Sequence, residues 1–381
     1  MSQSEGQPKL SCLASYPDVE VTALVPDRMC FYGEWTTAEP STDPRFAYVV
    51  GRVRAQWILH QWYLTFYPRD LGHLLRQVKP DVVDLWHEPW SLVSAQAVWL
   101  TRRLVPSAKI VVETEQNLFR RLPQPFRRFQ HYVLSQADAV LARSGGAAEV
   151  VRRKGFQGPV RVIGNGVDLA LFRPSDRRIA RQQLALDGFL VGFVGRLVEE
   201  KGLFDLVDAV AACPPDVQLA VVGAGPAEQA IRSRATKAGL GTRLHMLGRR
   251  PRSDLPGFLN AVDVLALPSH TTPTWMEQFG RVIVEAHACA TPVIGSDSGA
   301  IPEVTGSGGV IVPERNAAGL AVAIRGLRDD PEAARRLGQI GRQQVTRWSW
   351  PQVADETRSL YLEVTGAAPE TNVSPPEGAE R

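Results

Sequence analysis

Short apolar runs alternate with amphipathic stretches through most of the 381 residues, the pattern of a parallel β-sheet covered by helices on both faces. Strand-like runs at 19–25, 81–85, 110–113, 139–142 and 160–163 are separated by helical stretches such as 71–78, 95–104, 126–134 and 147–154. The rhythm resumes at Val191 and continues through 219–222, 244–247, 264–267, 293–295 and 309–312. It predicts two doubly wound α/β domains. A chain of this length, 44% hydrophobic and 22% charged, holds enough apolar material for both cores.

Two segments carry chemistry. In Glu277-Gln278-Phe279-Gly280-Arg281-Val282-Ile283-Val284-Glu285 the apolar spacing of Phe279, Val282, Ile283, Ala286 and Ala288 marks a helix. Gly280 is then expected in its first turn, where free N–H groups and the positive dipole end suit a phosphate and no Cβ keeps an anion away. Glu277 is expected in the loop before the helix and Glu285 about two turns inside it; at ~100° per residue they differ in direction by roughly 80°, so they have different jobs. The second segment, Gly195-Arg196-Leu197-Val198-Glu199-Glu200-Lys201-Gly202, lies between a buried strand and the helical stripe Leu203, Phe204, Leu206, Val207 and Val210. Arg196 offers a planar fork and Lys201 a point charge, a pair fit to stabilise a diphosphate leaving group.

Together these segments resemble the E-x7-E and G-R-x-x-x-x-K-G signatures of the retaining, nucleotide-sugar-dependent glycosyltransferases of family four. The flanks agree: Leu267-Pro268-Ser269 upstream, 288–299 and Ile301-Pro302-Glu303-Val304 downstream. The resemblance covers residues 8–362 and implies the GT-B fold, two Rossmann-like domains facing a central cleft. It implies that Glu285 binds the donor ribose, that Glu277 with the backbone of Phe279 and Gly280 faces the transferred sugar and diphosphate, and that Arg196 and Lys201 hold the diphosphate; Gly195 and Arg281 lie on the same donor loops. Arg196, Lys201 and Glu277 are the catalytic candidates. It further implies transfer from a UDP- or GDP-type sugar to an acceptor hydroxyl in cell-envelope polysaccharide, glycolipid or glycoconjugate synthesis. No D-x-D element lies near these segments, so neither a metal nor another cofactor is expected.

Asn165-Gly166-Val167-Asp168 with Phe172-Arg173-Pro174 resembles the family's hinge. The expected division is therefore 1–173 for an acceptor domain, 174–345 for a donor domain, 346–365 for a helix crossing back, and 366–381 for a polar, disordered tail. The family usually opens with a strand and a glycine-containing loop, whereas this chain opens with polar residues 2–7 and a helix-like 8–15. The N-terminal domain is thus expected to lack its first strand, or translation to begin upstream.

Ligands of parallel α/β sheets bind at the carboxyl ends of strands. That rule selects His87, Glu88 and Trp90 after one strand and Glu115, Gln116 and Asn117 after the next as acceptor-side residues, with carboxylates for hydroxyls and indole faces for ring C–H edges. The acceptor is a glycan, a lipid-linked sugar or a small molecule. A third glycine pattern, Gly223-Ala224-Gly225-Pro226, has Glu228 where a dinucleotide fingerprint needs its last glycine, and reads as a tight turn with Pro226 in the next helix's first turn.

A formal charge of +3 gives no case for nucleic acid. Arg120, Arg121, Arg127 and Arg128 interleaved with Phe119, Leu122, Phe126, Phe129 and Tyr132 read as a solvated basic face, and also suit an anionic membrane surface. Cys12, Cys30, Cys213 and Cys289 follow no metal or disulfide spacing and fit a reducing cytoplasm. No apolar stretch reaches the ~18 residues of a membrane span, and no signal-peptide core precedes residue 8, so a cytoplasmic protein is expected. Two other classes remain open: a noncatalytic carbohydrate- or nucleotide-binding protein, and another GT-B enzyme such as a sugar-phosphate synthase or sugar-nucleotide epimerase. Donor turnover separates the first, and the acceptor requirement the second.

Overall fold

The computed structural model describes residues 6–31, 34–54 and 62–368; the expected tail from 369 onward and the polar residues before 6 lie outside them. Within these, the chain up to Gly166 and from Trp350 forms one unit and Val167–Ser349 the other. The division falls upstream of the expected 174 because Val167 donates its N–H to the Trp348 carbonyl (2.8 Å) and pairs with Ser349 as a parallel bridge. Both crossings are thereby tied to the second unit.

The first unit begins with α1 (Gln7–Leu13), β1 (Thr22–Pro26), β2 (Arg28–Phe31), β3 (Glu34–Thr37) and β4 (Ala47–Gly51). It continues with α2 (Asp70–Val78), β5 (Val82–Leu85), α3 (Leu92–Leu104), β6 (Lys109–Thr114), α4 (Phe126–Gln136), β7 (Ala139–Ala142), α5 (Gly145–Arg153) and β8 (Val160–Val162). Strands β5 to β8 form one parallel sheet in chain order. Alternation fixes its faces: Ile110 and Val112 join a core with Val98, Val133 and Val151, whereas Val111 points the other way. Strands β1 and β4 make a separate parallel ladder, and β2 with β3 an antiparallel hairpin that sequence patterning missed. No strand among the described residues joins β1 to β5; Leu24 of β1 and Val83 of β5 instead meet through a side-chain core around Tyr67, Leu71 and Leu75.

The second unit contains α6 (Arg177–Leu184), β9 (Phe189–Val194), α7 (Leu203–Ala211), β10 (Val217–Val222), α8 (Glu228–Lys237), β11 (Leu244–Met246), α9 (Leu255–Ala261) and β12 (Val264–Leu267). Then follow α10 (Arg281–Ala288), β13 (Val293–Ser296), α11 (Ile301–Thr305), β14 (Gly309–Val312), α12 (Ala317–Asp329) and α13 (Pro331–Gln344). Six parallel strands run in the order β11-β10-β9-β12-β13-β14, so chain progression reverses direction between β9 and β12. The near-continuous apolar sequence of β9 and β12 reflects burial on both faces. Finally α14 (Trp350–Thr365) returns to the first unit, where Trp350, Val353 and Leu360 pack on Val111, Ala139 and Leu141 beneath its sheet.

Phe129 and Tyr132 of α4 turn inward against the core while Arg127 and Arg128 are exposed. Phe119 stays 37% exposed under the Arg153 guanidinium, 4.2 Å from its ring centre. Among the described residues no helix is long and apolar enough to cross a membrane.

Candidate active site

The reversal between β9 and β12 splays the loops at their carboxyl ends and opens the crevice where such sheets bind ligands. The loop after β9 holds Arg196 and Lys201. The loop after β12 holds Glu277. Gly202 locks them together: its φ is +71°, and a Cβ there would lie 1.9 Å from the Pro268 carbonyl oxygen, so only glycine permits this approach. Lys201 Nζ then reaches Glu277 Oε2 at 2.7 Å, and Ser269 Oγ donates to the same oxygen at 2.8 Å. The ammonium also lies 4.9 Å from the Trp275 ring centre. Arg196 is more open, 42% exposed, with Glu200 at 3.9 Å.

Neighbouring loops brace this crevice. The His270 N–H donates to the Glu200 carbonyl (2.7 Å) and its Nε2 meets Asp205 Oδ2 of α7 at 2.7 Å. Thr271 N–H donates to Glu314 (2.6 Å), Ser296 Oγ to the Ser269 carbonyl (2.6 Å), and Ala300 N–H to the Glu277 carbonyl (3.0 Å). The turn after β10 packs on Gly195, since a Cβ on Gly223 would lie 1.8 Å from the Gly195 oxygen. That glycine pattern is therefore structural, but Pro226 precedes the Ala227 cap of α8 and is not in its first turn.

The E-x7-E segment needs three corrections. Gly280 is the N-cap of α10, with φ +81°, and not a first-turn residue. Its missing Cβ faces Ile283 Cδ1 at 2.9 Å and Leu267, so glycine is demanded by the core and the left-handed backbone, not by an anion's approach. Glu285 is the fifth residue of α10, little more than one turn in, because Phe279 belongs to the preceding loop and packs edge-on against Trp348 at 6.0 Å. Glu285 is buried, with Oε1 3.0 Å from an Arg252 guanidinium nitrogen. Arg281 is the first helical residue and half-buried.

In the first unit, β5 and β6 are adjacent, so the two acceptor-side loops emerge together. Glu88 joins them: Oε2 accepts from Thr114 Oγ1 and Oε1 from the Glu115 N–H, both at 2.7 Å. Burial pushes its pKa up to about 7, against these hydrogen bonds, and pushes His87 down to about 4. Buried Gln116 accepts from Lys154 Nζ at 2.8 Å, and burial lowers that lysine to about 8. Trp90 packs at a tilt against Trp62 (5.3 Å) and Tyr63 (5.2 Å), and Phe126 meets Tyr63 edge-on at 5.2 Å. Asn117 is half-buried and close to Gly146.

Residues 175–344 match the family model described as "Glycosyl transferases group 1" and residues 19–171 the one described as "Glycosyltransferase Family 4". The chain is 31% identical over 309 residues to a D-inositol 3-phosphate glycosyltransferase of Segniliparus rotundus, covering 72% of this chain and 67% of the relative. The chain belongs to family four of the glycosyltransferases. A glycogen synthase of Mycobacterium tuberculosis is 30% identical over 306 residues, covering 75% of this chain and 70% of that protein. The GT-B fold is shared with sucrose-phosphate synthase from Thermosynechococcus elongatus (TM-score 0.70, 25% identity, 95% and 92% of the two chains). Anabaena HepE, solved with UDP, has the same fold (TM-score 0.74, 22% identity, 95% and 98%).

In this family-four chain, Ser269, His270 with Asp205, Trp275 and Arg252 around the donor loops escaped sequence reasoning, as did Trp62, Tyr63 and Lys154 beside the acceptor-side loops. Ser269 and His270 directly follow a strand end, which is a usable signal. Trp275 and Asp205 are close in sequence to Glu277 and Lys201 but carry no distinguishing pattern, and the others come from segments remote in sequence. Among the described residues no three His, Cys, Asp or Glu side chains gather as a metal site.

Proposed function

We propose that this family-four protein transfers a hexosyl group from a UDP- or GDP-type sugar to an acceptor hydroxyl, with retention at the anomeric carbon and without a metal ion. The observation that carries the reading is Lys201, held at the sheet's reversal point by Glu277, whose Oε2 also accepts from Ser269 Oγ. As the acceptor oxygen bonds to the anomeric carbon, the carbon–oxygen bond to the diphosphate breaks and the hydroxyl proton passes to the phosphate side. Negative charge grows on the leaving diphosphate. Lys201 and Arg196, fixed in place beforehand, stabilise it as a bound ion would. Glu285 takes the ribose, and Gly195, Phe279, Gly280 and Arg281 line the donor loops.

The acceptor belongs at the strand ends bearing His87, Glu88, Trp90, Glu115, Gln116 and Asn117, on a glycan, lipid-linked or small molecule of envelope biosynthesis, in the cytoplasm. The names of the Segniliparus relative and the sucrose-phosphate synthase include a phosphorylated polyol or sugar, and Lys154 supplies a cation at these strand ends. Sugar and polyol phosphates therefore belong in the acceptor panel.

Labelled UDP- and GDP-sugars, incubated with such a panel in excess EDTA, should yield glycosylated acceptor. Lys201→Ala should lower kcat on the order of a hundredfold. Donor binding without turnover would point to a noncatalytic protein, and loss of turnover in EDTA restored by magnesium would defeat metal independence.

A further inference from the structure

Glu285 is only 6% exposed, and a carboxylate so far removed from water keeps its charge only beside a counter-charge. Arg252 supplies one at 3.0 Å. It does so from a single 3-10 turn, Arg252–Asp254, that follows Pro251 and leads into α9. Its guanidinium carbon also lies 5.3 Å from the ring centre of Phe172, a side chain with 0% exposure. The planar group thus rests near an aromatic wall while an edge meets the carboxylate. The Arg252 side chain, 33% exposed, is thus held between the Phe172 ring and the Glu285 carboxylate.

We infer that Arg252 is a positioning residue for the donor, holding Glu285 ionised and oriented so that the carboxylate accepts the ribose hydroxyls. The inference rests on the donor-site reading given above. An ionised carboxylate has about four lone-pair sites, more than one guanidinium contact uses. It binds hydroxyls more strongly than a protonated or tilted carboxyl does. The influence of Arg252 is therefore expected chiefly through the ribose hydroxyls.

Calorimetric titration of the full-length protein with UDP, GDP and ADP, each beside its dideoxy counterpart lacking both hydroxyls, tests this directly. In the wild type, removing the hydroxyls should weaken binding roughly tenfold or more. In Arg252→Met that ratio should shrink to about two- to threefold, with dideoxy binding unchanged. Arg252→Lys, which keeps a charge but not the fork, should fall between and guards against loss of fold in the first variant. In a Glu285→Gln background, Arg252→Met should change the ratio no further. A hydroxyl ratio equal to wild type in both Arg252 variants, or equal weakening of both ligand types, would overturn the role of Arg252 while leaving the donor site standing. If none of these nucleotides binds the wild-type protein, the donor reading itself fails and the inference with it.

Discussion

His287 lies on the same helix as Glu285 and is wholly buried, with 0% exposure, wedged against Gly308 and Gly341. A Cβ on Gly341 would come within 2.6 Å of the imidazole Cδ2. Burial pushes its pKa down to about 4, against a smaller opposite pull from the Gly308 backbone. A depressed folded pKa means the neutral ring's contribution is complete above the ordinary value near 6.5 and is lost as pH falls toward 4. Wild type should therefore lose about 2 kcal/mol between pH 7 and pH 4.5 through this one group. In His287→Met the urea midpoint should fall less over that range; an identical fall in both proteins would show that other groups set the acid limb. Glu88 works in the opposite sense. Its folded pKa of about 7 lies above the ordinary 4.5, so its contribution is complete at low pH and is lost as pH rises through neutrality.

The proposed donor site rests on two loops touching at the backbone, and Gly202 is that point of contact. Gly239, after α8, also has a left-handed φ (+74°), but a Cβ there would meet nothing within 4 Å. Comparing alanine at the two positions separates conformational cost from collision. Gly239→Ala should cost ~1 kcal/mol for the left-handed backbone alone and leave nucleotide affinity unchanged. Gly202→Ala adds a clash with the Pro268 carbonyl, so it should cost more and weaken nucleoside-diphosphate binding as Lys201 is displaced from Glu277. Thermal melts and calorimetry on both variants decide the matter, and equal effects would remove the loop contact from the account of the site. The same scale explains where patterning failed. Strands β2 to β4 are short and mostly without clean alternation, so no two-residue period marks them.

Across the whole molecule, the first unit is assembled from both ends of the chain. Lys9 of α1, 1% exposed, places Nζ 2.6 Å from Glu113 Oε1 and 3.7 Å from Asp84 Oδ2, and Arg143 bonds the other Glu113 oxygen. Tyr361 of α14 donates to Asp84 at 2.6 Å, and Arg358 pairs with Asp18. Burial and the neighbouring Glu113 raise the Asp84 pKa, whereas Arg143 and Lys9 outweigh burial to keep Glu113 ionised. This unit's core is complete only once α14 is in place. The nucleotide chemistry proposed here, by contrast, falls on the contiguous residues of the second unit. Hydrogen exchange with saturating UDP or GDP should thus show protection at 195–202 and 268–285 and little change along β5 to β8; protection centred on the first unit would relocate the donor site.

What the sequence determined by itself was the fold class, most strand positions in both sheets, and which segments resemble donor motifs. These follow from local periodicity and from residue types that phosphate and ribose chemistry demands, all carried within short segments. It did not determine which partner each charged group would meet. Lys201 finds Glu277, Glu285 finds Arg252, and Lys9 finds Glu113, pairs separated by 76, 33 and 104 positions. Those pairings exist because packing brings distant segments together: parallel strands set the Lys201 and Glu277 loops at one end of a sheet, and helices α1 and α10 carry Lys9 and Glu285 to their partners. The reason for Gly280 also had to come from the folded chain, since only there is the direction of its absent Cβ defined, toward Ile283 and Leu267.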